Sequence, residues 1–155
     1  MSALEIRDAA DADAEVACEV MRRSITELCV EDHGNDPKIL AAWLRNKEPG
    51  VFRGWLAQPG NSLMVATQDK MIVAVGGVTD RGEITLNYVS PDARFRGVSR
   101  ALLAALERRA AERGNTECTL TSTMTARRFY LANGYVETAP PVGAQSGLPM
   151  RKALK

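Results

Sequence analysis

Apolar positions change their period several times along the chain, and each change marks an element. Leu4-Glu5-Ile6-Arg7 alternates apolar with polar, the period of a strand. Val16, Val20, Met21, Ile25, Leu28 and Cys29 then recur at helical spacing. That stripe predicts an amphipathic helix capped by Asp11 or Asp13 and ending near His33-Gly34. Asp36-Pro37 reads as an N-cap followed by proline in the first helical position, and Ile39, Leu40, Trp43 and Leu44 give the second helix one apolar face until Pro49-Gly50 stops it. Val51, Phe52, Trp55 and Leu56 repeat at the same spacing and end at Pro59-Gly60.

The middle of the chain changes to strand. Residues 63–67 and 71–78 are joined by a turn at Gln68-Asp69-Lys70, and Asp80-Arg81-Gly82 leads into a third strand over 83–89. After an apolar-periodic helix over 101–113, Gly114 has the place of a C′ residue. Residues 118–122 form the next strand, Thr125 can cap a helix that ends at Asn133-Gly134, and 135–138 pairs with 149–154 as a closing hairpin. The loop between them, 139–148, is rich in Gly and Pro and reads as mobile. No repeat, low-complexity tract or composition break divides the 155 residues, so 1–155 reads as one domain with a sizeable core.

One stretch carries the chemistry: Val89-Ser90-Pro91-Asp92-Ala93-Arg94-Phe95-Arg96-Gly97-Val98-Ser99-Arg100, followed directly by a helix. A strand ends at Pro91, a basic loop follows, and Gly97 stands just before the helix start. A helix N-terminus has unpaired N–H groups and the positive end of the peptide dipoles, so it attracts anions. Arg94, Arg96 and Arg100 surround the same turn and can clamp phosphate, while Gly97 allows the backbone to approach a ligand. The arrangement is that of a pyrophosphate-binding turn.

Arg94-x-x-Gly97-x-Ser99 resembles the Q/R-x-x-G-x-G/A coenzyme A loop of the GNAT superfamily of N-acetyltransferases. Residues 126–135, Ala-Arg-Arg-Phe-Tyr-Leu-Ala-Asn-Gly-Tyr, resemble that family's second motif, and the likeness extends over nearly the whole chain. The resemblance implies an α/β (α+β) fold: a mixed, mostly antiparallel sheet of six to seven strands flanked by about four to five helices. It implies acetyl-CoA as co-substrate and no metal. The implied coenzyme contacts are Tyr88, Val89, Arg94, Phe95, Arg96, Gly97, Val98, Ser99, Arg100, Thr123, Ala126 and Phe129. Ser99 departs from the family pattern, placing a hydroxyl beside the expected pyrophosphate, where it donates a hydrogen bond or crowds the loop. Thr123 stands where many relatives carry a coenzyme-contacting Asn.

Acetyl transfer to an amine has three requirements: a polarised carbonyl, a deprotonated amine and a protonated leaving thiolate. The Val89 N–H, just ahead of the loop, matches the family's donor to the carbonyl oxygen, and such a preorganised amide is typically the largest single catalytic effect. Glu83, at a spacing ahead of Gly97 that resembles the base glutamate of histone-type members, reads either as the general base or as a solvated residue opening a strand. Strand alternation would put Glu83, Thr85, Asn87 and Val89 on one face, with Asn87 near the substrate. Tyr130 occupies the family's acid position; the alternative is a core tyrosine with a satisfied hydroxyl. Cys29 and His33, at i and i+4, can meet on a continuous helix and line a substrate pocket. As a Cys–His pair they would supply a nucleophile; as part of the apolar stripe, Cys29 is a buried hydrophobe.

Composition narrows the partners. Residues 1–36 hold ten acidic and three basic side chains, whereas 91–128 hold eight arginines and four acids. A basic half suits an anionic coenzyme; an acidic half suits solvated helix faces or a lysine-like or polyamine-like acceptor. Net charge of +1 and arginines without interleaved aromatics exclude a nucleic-acid reader, and no apolar run reaches membrane-spanning length. Three cysteines without metal-like spacing and an N-terminus without a secretory pattern point to the cytoplasm. The expected partners are therefore coenzyme A and a small-molecule or peptide amine; similar proteins are often homodimers, though no feature here demands one. The rival to an N-acetyltransferase working by direct attack in a ternary complex is a catalytically silent acyl-CoA-binding sensor of the same fold.

Overall fold

In the computed structural model, which describes residues 3–140 and 147–154, the strand-period segments build two sheets. The first contains β1 (Leu4–Asp8), β2 (Asn61–Gln68), β3 (Met71–Thr79) and β4 (Ile84–Val89) in chain order. The second runs in the order β5 (Glu117–Ser122), β7 (Leu148–Ala153), β6 (Val136–Glu137). Every ladder is antiparallel. The β2–β3 turn puts Asp69 and Lys70 at φ 52° and 66°, the left-handed pair that a two-residue hairpin needs. The closing β6–β7 pair forms as expected; of its connecting loop, 141–146 lie outside the described residues.

The two sheets meet at one pinch. Glu83 forms a parallel bridge to Thr119, and the Thr119 N–H donates to the Gly82 carbonyl at 2.9 Å. Beyond it β4 and β5 share no ladder, so their far ends part and leave a cleft. Gly82 is required at the pinch for two reasons. Its φ is +81°, and a Cβ there would lie 2.5 Å from the Glu117 carbonyl oxygen.

Helices cover both faces of the first sheet. α1 (Ala14–Leu28) and α4 (Pro49–Ala57) pack on one face around Met21, Phe52, Val65 and Val75. α5 (Val98–Glu112) packs on the other through Leu102, Leu103 and Leu106. It lies so close to β3 that a Cβ on Gly76 would come within 2.9 Å of Leu106. Tyr135 donates to Glu107 at 2.8 Å and Lys152 to the same carboxylate at 3.0 Å, tying α5 to the second sheet. Two shorter helices, α2 (Val30–His33) and α3 (Pro37–Leu44), connect α1 to α4, and α6 (Arg127–Ala132) follows β5. No helix among the described residues is long and apolar enough to cross a membrane.

Four expectations are corrected. Val16 is 46% exposed, because Ala14, Ala17, Cys18, Met21 and Ile25 make the buried stripe of α1. That helix ends at Leu28: Cys29 leaves helical geometry at φ −103°, ψ 26°, and α2 is a separate turn closed by left-handed Gly34. Pro49-Gly50 begins a helix instead of stopping one, with proline in the first turn where its missing N–H costs nothing. Finally, the β3–β4 register shifts between Gly77 and Val78, leaving Thr85 as a bulge. Ile84 therefore faces the α5 side, Leu86 and Tyr88 face the α1 side, and Val89 returns to the α5 side. Glu83, one residue before Ile84, does not share a face with Asn87 and Val89.

The pinch gives a direct test. Gly82→Ala must both adopt a left-handed backbone and displace the Glu117 carbonyl, so it is expected to cost about 2–4 kcal/mol in urea unfolding. A change below about 0.5 kcal/mol, the range of an ordinary surface substitution, would contradict the packing described.

Candidate active site

The splay between β4 and β5 holds a cavity of about 630 Å³. One wall is β4 and the loop after it. Ser90 ends the strand, and its hydroxyl oxygen accepts from the Asp92 N–H at 3.2 Å, starting a short turn over Pro91–Ala93. Asp92 is in turn held by Arg23 of α1 at 2.9 and 3.3 Å. The Ser90 N–H turns toward β3 and donates to Val73 at 2.7 Å. Amides alternate between the two edges of a strand, so the Val89 N–H points the other way, at the cleft.

The basic loop has an unusual backbone. Phe95 sits at φ 62°, where a bulky residue is rarely held, and its ring is 92% exposed beneath the Arg94 guanidinium at 4.6 Å. Gly97, at φ 78°, is the N-cap of α5, and among the described residues no side chain caps the first amides of that helix. Arg94, Arg96 and Arg100 are exposed and pair with no carboxylate among the described residues. Unfilled amides, a dipole end and uncompensated guanidinium groups together make a site for a polyanion. Arg94, Phe95, Gly97, Val98, Ser99 and Arg100 line the cleft; Arg96 does not.

The opposite wall is β5 and the turn into α6. The Thr123 hydroxyl oxygen accepts from the Ala126 N–H at 3.1 Å and caps this turn, the role expected of Thr125. Thr125 is otherwise engaged: its hydroxyl donates to Asp32, which also accepts from the Met124 N–H at 2.6 Å and the Thr125 N–H at 3.1 Å. Asp32 is buried, and it straps α2 to the cleft wall. Its sequence neighbourhood, Glu31-Asp32-His33, reads as a solvated helix end, so only the tertiary fold reveals this role. Thr123, Ala126, Phe129 and Tyr130 line the cleft from this side.

Between the walls lies one polar pair. Asn87 Nδ2 donates to Tyr130 Oη at 2.9 Å, and the tyrosine is only 6% exposed. Burial pushes its pKa up to about 12, against a small opposing pull from the Asn87 bond. Because Asn87 occupies an oxygen lone pair, the phenolic proton is left to be donated to something in the cleft. Phe129 and Tyr135 hold the ring edge-on at 5.3 and 5.5 Å.

Cys29 and His33 do not form a dyad. His33 is buried, its Nδ1 accepts from the Asn35 N–H at 2.9 Å, and its Nε2 therefore carries the hydrogen and donates to the Ile25 carbonyl at 2.9 Å. Neither ring nitrogen is left for a thiol. The Cys29 thiol is pushed up to about 11 by burial, with Asp32 adding to the shift, so it stays protonated at neutral pH. Cys29 and Asn87 line the cleft, whereas His33 lies outside it. The break at Cys29 separates the pair that a continuous helix would have joined.

Glu83 opens into a second cavity of about 880 Å³, on the α1 and α4 side of β4, beside Lys47, Trp55, Asn61 and Tyr88. Thr85, Leu86 and Tyr88 line both cavities, so a single strand separates them. Trp55 belongs to the apolar stripe that the sequence shows for α4, whereas neither Lys47 nor Asn61 carries a sequence signal of its own.

Residues 27–154 match the model of the acetyltransferase (GNAT) domain. Among solved structures, the chain is similar to a GCN5-related N-acetyltransferase from Rhodopseudomonas palustris, with 26% identity, TM-score 0.87 and coverage of 99% of this chain and 98% of that one. It is also similar to the PaiA N-acetyltransferase of Thermoplasma acidophilum, solved in complex with coenzyme A, at 18% identity, TM-score 0.85 and coverage of 98% and 99%. A GNAT-family acetyltransferase from Staphylococcus aureus Mu50 matches at 18% identity and TM-score 0.70, over 99% of this chain and 100% of that one. Among curated protein sequences there is no match.

The buried phenols set an alkaline limit on stability. Tyr130 and Tyr88 both have pKa values near 12 in the fold, each raised chiefly by burial. The unfolded chain ionises near pH ~10, so their neutral forms stabilise the fold fully below that pH. Stability is expected to fall as pH rises from ~10 to ~12, by up to about 1.4 kcal/mol per pH unit for each tyrosine. Ultraviolet titration of phenolate alongside unfolding checks this; ionisation of every tyrosine near pH ~10 with the fold intact would contradict it.

Proposed function

This chain belongs to the GNAT acetyltransferase family and is an acyltransferase; on that footing we propose that it moves an acetyl group from acetyl-CoA to a primary amine by direct attack in a ternary complex. The observation that carries the reading is the Asn87–Tyr130 pair, set in the cleft with its phenolic proton unassigned, on the same stretch of β4 whose end aims the Val89 amide inward. The residues fit the co-substrate: the α5 N-terminus with Arg94 and Arg100 would take the diphosphate, and the apolar walls of the splay would take the pantetheine arm. Ser99, in the first turn of α5, lines the cleft and can add a hydroxyl donor to that cradle.

The chain's own groups then divide the work. The Val89 N–H polarises the thioester carbonyl. Glu83, on the second cavity across β4, accepts a proton from the acceptor amine, directly or through water. For a lysine-like amine with pKa ~10.4, neutralisation at pH 7 costs roughly 4.6 kcal/mol, and a positioned carboxylate offsets part of it. As the new C–N bond forms and the C–S bond breaks, Tyr130 gives its proton to the departing sulfur, having kept it at neutral pH because burial disfavours phenolate. The three cysteines are buried free thiols, in keeping with a reducing cytoplasm.

Thiol release with acetyl-CoA and a panel of amines tests the proposal. Tyr130→Phe is expected to lower kcat about 10- to 100-fold while the coenzyme Kd, read by calorimetry, stays within about twofold. Glu83→Gln is expected to lower kcat/KM most at neutral pH and to lose progressively less as pH approaches the acceptor amine's own pKa, where the free amine needs no base. Coenzyme binding without thiol release from any amine would replace the enzyme with an acyl-CoA sensor.

A further inference from the structure

The second cavity contains two polar groups that the fold leaves incompletely answered. Lys47 stands in the connection between α3 and α4, held there because Arg22 of α1 donates to the Leu44 carbonyl at 3.0 Å and the Glu48 carboxylate at 3.2 Å. The lysine is 7% exposed, yet no carboxylate among the described residues pairs with it. Its ammonium donates to Asn46 Oδ1 at 2.6 Å and to the Trp43 carbonyl at 3.4 Å, and lies 5.8 Å from the centre of the Tyr88 ring. All these partners are neutral. Burial pulls its pKa below the usual lysine value, and an anion beside it would reverse that shift. Asn61 lines the same cavity. Its Nδ2 donates to the Trp55 carbonyl at 3.2 Å, but its Oδ1 is a buried acceptor with no partner among the described residues.

An uncompensated buried cation and an orphaned acceptor in one cavity are complementary to a ligand with an anionic group and an N–H donor. The geometry points to an acceptor that is an amine bearing a carboxylate, an amino acid, with its carboxylate on Lys47 and an N–H on Asn61 Oδ1. This rests on the acetyl-transfer reading for the role of the cavity, which adjoins the coenzyme cleft across Thr85, Leu86 and Tyr88. It runs against the acidic character of residues 1–36. Four of those acids are already engaged by arginines: Asp8 by Arg109, Asp13 by Arg7, Glu15 by Arg53 and Glu27 by Arg23. The cavity is lined as well by Asp80, Arg81 and Glu83, all exposed, with Asp80 3.7 Å from Arg113, so Lys47 is its buried cation, the charge that a carboxylate meets.

The test uses matched pairs that differ by one carboxylate: lysine and cadaverine, ornithine and putrescine, phenylalanine and phenethylamine. Each is assayed for thiol release from acetyl-CoA and, separately, for heat of binding to the enzyme loaded with coenzyme A. At least one amino acid is expected to exceed its decarboxylated partner about tenfold or more in both kcat/KM and affinity, the range of a charge-assisted hydrogen bond. Lys47→Met, close in volume and uncharged, should erase that ratio mainly through KM, whereas Lys47→Arg should retain part of it. Unfolding midpoints and coenzyme affinity show whether each variant is folded. Equal or better use of the decarboxylated amines, or a ratio unchanged in Lys47→Met, overturns the assignment and leaves acetyl transfer standing. Lysine-47-dependent binding of amino acids without thiol release from any amine keeps the assignment and removes acetyl transfer instead.

Discussion

The site exists because β4 and β5 are joined at one end and not at the other. The Gly82 carbonyl and the Thr119 amide close the near end, and β5 then continues into a separate three-stranded sheet. A continuous ladder would have consumed the inward-facing amides of β4 and filled the space between the strands. Parting them leaves peptide donors without strand partners along a wall that is otherwise apolar. Such donors are costly to leave dry, and a ligand with acceptor oxygens removes that cost. The fold therefore carries a built-in affinity for something that can lie between two strand edges.

A bulge of one residue then distributes the chemistry over two faces. With Thr85 outside the register, Asn87 reaches Tyr130 on the α5 side while Glu83, Leu86 and Tyr88 face the α1 side. The proposed proton donor, Tyr130, and the proposed acceptor, Glu83, thus stand on opposite sides of the strand whose end turns the Val89 amide to the cleft. The tyrosine is thereby placed beside the coenzyme cleft and the carboxylate beside the second cavity.

The order of elements was legible in the sequence because each is punctuated by residues with a local reason for their place. Asp36-Pro37 caps and starts α3, and the basic run to Gly97 leads into α5 as its pattern demands. The cleft residues around Gly97 and Tyr130 were legible for the same reason, since loop, helix start and aromatic pair are all local signals. What depended on the tertiary fold was not legible. Strict alternation put Glu83 on the face of Asn87, and the bulge at Thr85 undid it. Helical spacing joined Cys29 to His33, but the helix is interrupted at Cys29 and both histidine nitrogens bond elsewhere. Lys47, Asn61 and Asp32 look like ordinary polar residues until burial shows otherwise.

The Asp32 carboxylate, by spanning 92 and 93 positions of sequence to reach Met124 and Thr125, makes two distant stretches answerable to each other. Removing the Asp32 carboxylate leaves two backbone amides and a hydroxyl without that acceptor, whereas removing the Thr125 hydroxyl costs the carboxylate one bond of three. A lineage descending from this chain would drift freely at neighbouring exposed positions such as Glu31, while position 32 keeps an acceptor, because the two amides it serves persist whatever side chains stand at 124 and 125.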